Sequence, residues 1–325
     1  MIQKRYIGID IGGTKIAAAL VDDRGKILAR GKLPTPAQAT GQKIFKTTLH
    51  LLKDILNKTS LTPKHIKGIG IGVPGIVAND NESILITPNI NLSGFALARN
   101  LKKVFPVPVA INNDVNLGIL GEQWLGAGRR TKNVVGLFPG TGIGGGIIVD
   151  GKLFTGSFGA AAEIGHMIMQ LDGPLCSCGN HGCLEALASR WAIERDIRQA
   201  VKEGEKSLIT ELADGKLNRI KSKMINKALN KKDPLVTGIL HNVAVILGKA
   251  CISIKHIFNP EMIVLGGGVM EACGKFLLPI IGKTVAADPF FSAKIDSCKI
   301  VVSQLGDDAV ILGAVALVKN PAKPC

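Results

Sequence analysis

Tyr6-Ile-Gly-Ile-Asp10-Ile-Gly-Gly-Thr-Lys15-Ile-Ala-Ala-Ala-Leu-Val21 reads as a strand, a glycine turn and a second strand. A third apolar run, Lys26–Leu33, follows the turn Asp22-Asp23-Arg24-Gly25. The same device returns about 130 residues later. There Val134–Phe138 is a strand, Gly140-Thr-Gly-Ile-Gly-Gly-Gly146 a glycine turn and Gly146–Val149 a strand. Asp150-Gly151-Lys152 turns the chain again, and Leu153-Phe154 opens the next strand. A repeat this long is no solenoid. It implies two homologous α/β halves, each beginning with a hairpin whose glycine turn faces a common cleft.

The segments between these hairpins fit α/β order. Residues 40–58 predict an amphipathic helix, and 67–73 a strand running into Gly72-Val-Pro-Gly75. A short helix near 95–105 precedes a strand at 107–112, which ends in Asn112-Asn113-Asp114. Residues 184–258 read as helical, with Asp233-Pro234 as a capped helix start. A strand at Glu261–Leu265 ends in Gly266-Gly267-Gly268 and is followed by a helix. Another strand near Lys299–Ser303 and a helix from about Asp308 close the pattern, and the domain boundary falls near residue 117.

Composition excludes several classes. Of 325 residues, 46% are hydrophobic and 20% charged, which is incompatible with disorder or a coiled coil. Forty Lys+Arg against 25 Asp+Glu give a net charge of +15, raising nucleic acid, anionic membranes and phosphate-bearing substrates as partners. Aromatics are only 4%, which leaves few platforms for stacking bases. The lysines are spread through stretches such as Lys202–Lys206 and Lys221–Lys232, as on a solvated surface. The first residues, MIQKRYIGIDIGG, are broken by Asp10 and glycines and read as neither a signal peptide nor a membrane span. The apolar stretch Val243–Ile254 contains Lys249 and reads as a buried helix. Seven cysteines, three of them crowded together, point to metal rather than disulfides, hence to the cytoplasm. The 39 glycines imply many tight turns or close backbone approaches to a ligand.

Two stretches match G-x-G-x-x-G, Gly70–Gly75 and Gly140–Gly145, yet neither is followed by the helix a dinucleotide site requires. Gly146-x4-Gly151-Lys152 resembles a P-loop, but Leu153 stands where Ser or Thr must ligate Mg²⁺. What remains is two hairpin turns whose consecutive N–H groups can cradle phosphate oxygens, with the Thr14 and Thr141 hydroxyls beside them. A tight hairpin needs one or two glycines, whereas Gly140–Gly146 has five. Asp10 could reach a phosphate-bound Mg²⁺ through water. Asp114, at the end of an apolar strand, fits either a general base or a cap for the next helix. His166, Cys176, Cys178 and Cys183 suit a closed tetrahedral, structural Zn²⁺ site, with His181 as a competing fourth ligand. Tying that loop down would fix Glu163, His166 and Glu185, three groups able to grip hydroxyls.

In order, Asp10-Ile-Gly-Gly-Thr-Lys15, Asn113-Asp114, Gly140–Gly146, Glu163-Ile-Gly-His166 and Cys176-x-Cys178-Gly-x2-Gly182-Cys183-Leu-Glu185 resemble the ROK family of repressors and sugar kinases, its glucokinases in particular. The resemblance spans about residues 5–318. It implies an α/β, actin-like (ribonuclease-H-like) duplicated two-domain ATPase fold with an interdomain cleft. The C-terminal helix would pack back on the first domain, giving residues 1–117 plus about 301–325 and residues 118–300, with the zinc loop at 166–183. It implies Asp114 as general base, and Asn113, Glu163, His166 and Glu185 on sugar hydroxyls, with Gly75 and Asn89 nearby. Asp10, Gly12, Gly13, Thr14 and Lys15, with Gly140, Thr141, Gly142, Gly144 and Gly145, would hold the phosphates of Mg²⁺-ATP, and Gly267 would lie beside the adenosine. The implied reaction is phosphorylation of a hexose 6-hydroxyl, glucose first, then N-acetylmannosamine or N-acetylglucosamine, then fructose. Polyphosphate is an alternative donor and a sugar-binding regulator the non-enzyme alternative. A homodimer is expected, with no nucleic-acid or membrane partner, because no room for a DNA-binding domain precedes residue 10. Pro139, and Asp308-Ala309-Val310 where a small pair is usual, depart from the family pattern.

Overall fold

The computed structural model describes residues 4–36, 38–291 and 297–320. It divides into two compact units: one from the described residues of Met1–Val134, Gly146–Ala162 and Gln304–Cys325, the other from Val135–Gly145 and Glu163–Ser303.

The first unit opens with β1 (Arg5–Ile11), β2 (Lys15–Asp22) and β3 (Ile27–Pro34), followed by α1 (Gly41–Lys58). Then come β4 (Ile66–Val73), the short β5 (Ile76–Val77) and β6 (Ile84–Ile86), α2 (Leu97–Val104), β7 (Val109–Asn113) and α3 (Asp114–Leu125). Its sheet runs β3-β2-β1-β4-β7, with β1 antiparallel to β2 and parallel to β4. β1 is buried along Tyr6–Ile9, as a central strand covered on both faces must be. β3 alternates between half-buried and exposed residues, the pattern of an edge strand with one face covered. α1 starts where the Thr40 hydroxyl accepts the Lys43 N–H, and it buries Ile44, Leu51, Leu52 and Ile55 on one face.

The second sheet holds β8 (Val134–Pro139), β9 (Ile143–Val149), β10 (Lys152–Leu153), β11 (Met262–Leu265) and β12 (Lys299–Val302), ordered β10-β9-β8-β11-β12. Its helices are α4 (Leu184–Ala188), α5 (Arg190–Lys202), α6 (Leu208–Leu212), α7 (Ser222–Asn230), α8 (Pro234–Phe258) and α9 (Gly268–Ala286). α8 is long and apolar enough to cross a membrane by length and composition; here it buries Val243, Leu247, Cys251 and Ile254 within the second unit. Asp233 caps it by accepting the Val236 N–H, with Pro234 in its first turn.

The last helix, α10 (Ala309–Lys319), belongs to the first unit. It packs against α3, β1 and β4 so closely that a Cβ on Gly8 would sit 2.2 Å from the Ile311 carbonyl oxygen. At Gly70 the distance to the Ala314 oxygen would be 1.8 Å, and at Gly313 to the Leu117 oxygen 1.7 Å. Part of the glycine excess therefore serves helix-to-sheet contact rather than a ligand. Val310, one of the departures, fits against Gly72, while Asp308 pairs with Arg30 at 3.2 Å. Buried Glu122 on α3 accepts the N–H groups of Ala127, Gln304 and Leu305 and anchors the re-entering chain.

Candidate active site

In the first unit, β1 and β2 meet in a tight turn closed by Gly12 N–H donating to the Lys15 carbonyl at 2.9 Å. Thr35, just past β3, turns the loop's carbonyls away. Its hydroxyl donates to the Gly12 oxygen at 2.6 Å and its N–H to the Thr14 oxygen at 3.0 Å. The Gly13 and Thr14 N–H groups have no partner among the described residues. With the Gly12 and Thr14 carbonyls engaged, the two N–H groups are left as donors for an anion. Asp10 lies on β1 opposite Ala17 and Gly72. Burial pushes its carboxyl up to about 6 against the pull of Lys15, with Asp307 adding to the rise. Lys15 itself pairs with Asp307 at 3.2 Å.

Asn113 ends β7 and caps α3, its side chain accepting the Val115 and Asn116 N–H groups at 2.8 and 3.1 Å. That leaves Asp114 as the first helical residue rather than the cap, with its carboxylate taking the Val115 N–H at 2.9 Å. Asn113 also donates to the Gly75 carbonyl at 2.8 Å. Gly75 has φ +99°, and a Cβ would lie 2.0 Å from the Ile86 oxygen, so only glycine fits. Asn89 stands beside Gly13, and both line a cavity of about 320 Å³ with Thr35, Pro36, Gln38 and Thr87. Beneath this group lies a chain of amides that sequence reasoning missed. Asn112 donates to Asn81 at 2.8 Å and accepts from the Asn113 N–H at 2.8 Å and from Asn116 at 3.0 Å. The Asn116 side-chain oxygen Oδ1 is buried and has no hydrogen-bond partner among the described residues. The sequence signal was polar residues ending an apolar strand.

In the second unit the expected seven-residue turn is shorter. β9 begins at Ile143, so Gly144, Gly145 and Gly146 are strand residues, and the turn is Gly140-Thr141-Gly142, closed by Gly140 N–H to Gly142 O at 2.8 Å. Here the start of α5 turns the loop carbonyls away. Arg190 N–H donates to Gly140 O at 2.9 Å and Trp191 N–H to Thr141 O at 3.3 Å. The Thr141 and Gly142 N–H groups have no partner among the described residues. A Cβ on Gly142 would fall 2.2 Å from Glu185 Oε2, which accepts the Ile143 N–H at 2.8 Å. Glu185 Oε1 accepts the Ser177 hydroxyl at 2.9 Å. Glu185 thus spans the glycine loop and the cysteine loop. Glu163 is exposed and heads the 3₁₀ turn Ile164–His166, where Gly165 lies against the Ile143 carbonyl. Gly267 has φ +78° and faces the Pro139 carbonyl. Gly268, beside it, borders an open groove of about 1810 Å³ lined also by Ser222, Asn226, His241 and Lys275.

The ligand atoms of His166, Cys176, Cys178 and Cys183 lie within 4.8 Å of one another. Cys178 and Cys183 Sγ are 3.7 Å apart, as are Cys176 Sγ and His166 Nδ1. Tetrahedral zinc with Zn–S of about 2.3 Å sets its ligand atoms about 3.5–3.8 Å apart, so the donor set fits zinc. His181 lies outside the cluster; its Nδ1 is 3.0 Å from the Gly173 oxygen. Burial pushes the Cys183 thiol up to about 12, while the Asn180 N–H lowers Cys178. A metal would have to displace the Cys183 proton.

Two α/β units, each with a carbonyl-averted glycine hairpin, define a duplicated actin-like ATPase fold of two domains. The chain belongs to the ROK family, whose model matches residues 6–321. It is 34% identical to a glucokinase of Thermotoga maritima over 326 residues, covering 98% of this chain and 99% of that one. It is 33% identical to a xylose repressor of Caldicellulosiruptor bescii, covering 96% of this chain and 77% of the repressor. A ROK family glucokinase from Streptomyces griseus, solved with glucose and AMPPNP, superposes with a TM-score of 0.82 at 32% identity, covering 97% and 99% of the two chains.

Proposed function

We propose that the protein is an ATP-dependent sugar kinase that phosphorylates the 6-hydroxyl of glucose. The observation that carries this is the pair of glycine hairpins with N–H groups that have no partner among the described residues, together with Asp114 in the first turn of α3, the helix that Asn113 caps. Similarity to glucokinases over nearly the full length supports glucose as the acceptor.

In this reading the donor phosphates rest on Gly12, Gly13, Thr14 and Lys15 and on Gly140, Thr141, Gly142, Gly144 and Gly145. Gly267 and the groove beside it receive the adenosine. Asn113, Glu163, His166 and Glu185 hold sugar hydroxyls, with Gly75 and Asn89 close by. Asp114 accepts the 6-hydroxyl proton as that oxygen attacks the γ-phosphorus in line, and ADP leaves. Asp10 would hold Mg²⁺ through water, and the ion would neutralise charge developing on the phosphates. Zinc on His166, Cys176, Cys178 and Cys183 would be structural, since all four positions are filled by protein. We place the protein in the cytoplasm because the crowded cysteines form a donor set that fits zinc rather than a disulfide framework. The homodimer remains a family-based proposal, which sedimentation would test.

A panel of hexoses and N-acetylhexosamines with ATP, followed by ADP release, tests the reading. The highest kcat/KM is expected for glucose. A preference for N-acetylmannosamine or N-acetylglucosamine would reassign the acceptor. Absence of ADP release with every sugar, alongside measurable sugar binding, would favour a regulator, the activity named for the xylose repressor relative. Polyphosphate in place of ATP tests the donor.

A further inference from the structure

Arg190 contributes a main chain and a side chain to the same loop. Its N–H holds the Gly140 carbonyl at 2.9 Å, and its guanidinium Nη2 donates to Thr141 Oγ1 at 2.7 Å. Nη1 pairs with Glu194 one helical turn on, and the other Glu194 oxygen lies 3.7 Å from Arg198. The Arg190 and Glu194 side chains are only 26% and 13% exposed, so the fork is held in one orientation.

A guanidinium can only donate. Thr141 Oγ1 therefore accepts from Arg190 and must direct its own hydrogen elsewhere. The Thr141 and Gly142 N–H groups, which have no partner among the described residues, are further donors on the same turn. A group that satisfies all three is an oxyanion. We propose that Arg190 is a positioning residue for the phosphate donor: by donating to Oγ1 it fixes the Thr141 hydroxyl as a hydrogen-bond donor toward the polyphosphate chain. The interaction deepens the kinase reading and rests on it.

The test is Arg190→Ala, with Arg190→Lys and Thr141→Val alongside. Mg²⁺-ATP binding is measured by calorimetry without sugar, and KM is measured for each substrate. Arg190→Ala should weaken ATP binding and raise its KM about tenfold, the usual weight of a charge-assisted hydrogen bond. KM for the sugar should change less than twofold. Arg190→Lys should recover only part of the loss, because an ammonium lacks the planar fork. Arg190→Ala combined with Thr141→Val should be no worse than Thr141→Val alone, since the two act through one hydroxyl. Unchanged ATP affinity in Arg190→Ala would overturn the proposal. So would an equal rise in both KM values with a lowered Tm, which marks damage to the loop as a whole. Should Arg190→Ala fail to fold, Thr141→Val and Arg190→Lys carry the same comparison. Should the wild type phosphorylate no sugar, the kinase reading fails, while calorimetry with ATP still decides the role of Arg190.

Discussion

The two glycine hairpins reach one outcome by different means. In the first, a single residue of the neighbouring strand edge, Thr35, holds the Gly12 and Thr14 carbonyls. In the second, the start of α5 holds the Gly140 and Thr141 carbonyls, and Glu185 fills the space beneath Gly142. No glycine of the first turn is sterically forced: a Cβ at Gly13 would come no nearer than 3.8 Å to Asn89, and one at Gly12 would lie 3.4 Å from Lys15 O. Gly142 is crowded: a Cβ there would fall 2.2 Å from a Glu185 carboxylate oxygen, which would have to move. Glycine in the first hairpin leaves room for a ligand, whereas Gly142 leaves room for the protein itself.

Asp114 lies in neither hairpin and sets the scale. Asp114→Ala should lower kcat by about 10³-fold or more, with sugar affinity by calorimetry changed little. An active variant would remove Asp114 from the mechanism and leave the hairpins as the whole site. Gly142→Ala should displace Glu185 and lower kcat/KM about 10²-fold, together with the melting temperature. Gly13→Ala should leave melting within about 1 °C, since nothing is overpacked. Any rise in its KM for ATP then measures ligand approach alone. Equal melting losses for both alanine variants would erase the distinction.

Metal removal should act on the second hairpin only. Stripping zinc should lower Tm by about 5–15 °C and increase amide exchange at Ile143 through Glu185, leaving the Gly12–Lys15 turn protected as before. Cys176→Ser should melt low and ignore the chelator. Uniform exchange in both hairpins would break the link through Glu185.

The smallest effect concerns Asp10, which has no counterpart in the second turn. Its folded pKa, about 6, lies above the usual 3.8. The native state therefore holds the proton more tightly. The cost of its charge is absent below about pH 4, grows through pH 6 and is full above. Asp10→Asn should stabilise the fold by about 1–3 kcal/mol at pH 7.5 and by nothing at pH 4, measured by urea unfolding. An equal gain at both pH values would trace the effect to packing instead.

Much of this was legible in the sequence because it is local. The hairpins, the order of strands and helices, and the cysteine spacing all follow from residues close along the chain. The spacing favoured His166 over His181, which lies only two residues from Cys183, and in the structure His181 is outside the cluster and turned to Gly173. What the sequence hid is long-range. Nothing near Glu185 announces its bond to Ile143, 42 residues away, nor does Arg190 advertise Thr141. The glycine run was also overread as turn, because Gly144–Gly146 continue β9. Several other glycines answer to α10, about 240 to 300 residues later in the chain.

That last dependence governs the order of assembly. The helix that covers Gly8 and Gly70 is made about 240 to 300 residues after the strands β1 and β4 that carry them. Synthesis at about 5–20 residues per second leaves that sheet face bare for tens of seconds while the rest of the chain emerges. The second unit, built from Val135–Gly145 and Glu163–Ser303, holds all its own strands before α10 exists. It can settle first, and the first unit must close afterwards over an apolar surface that chaperones are suited to shield.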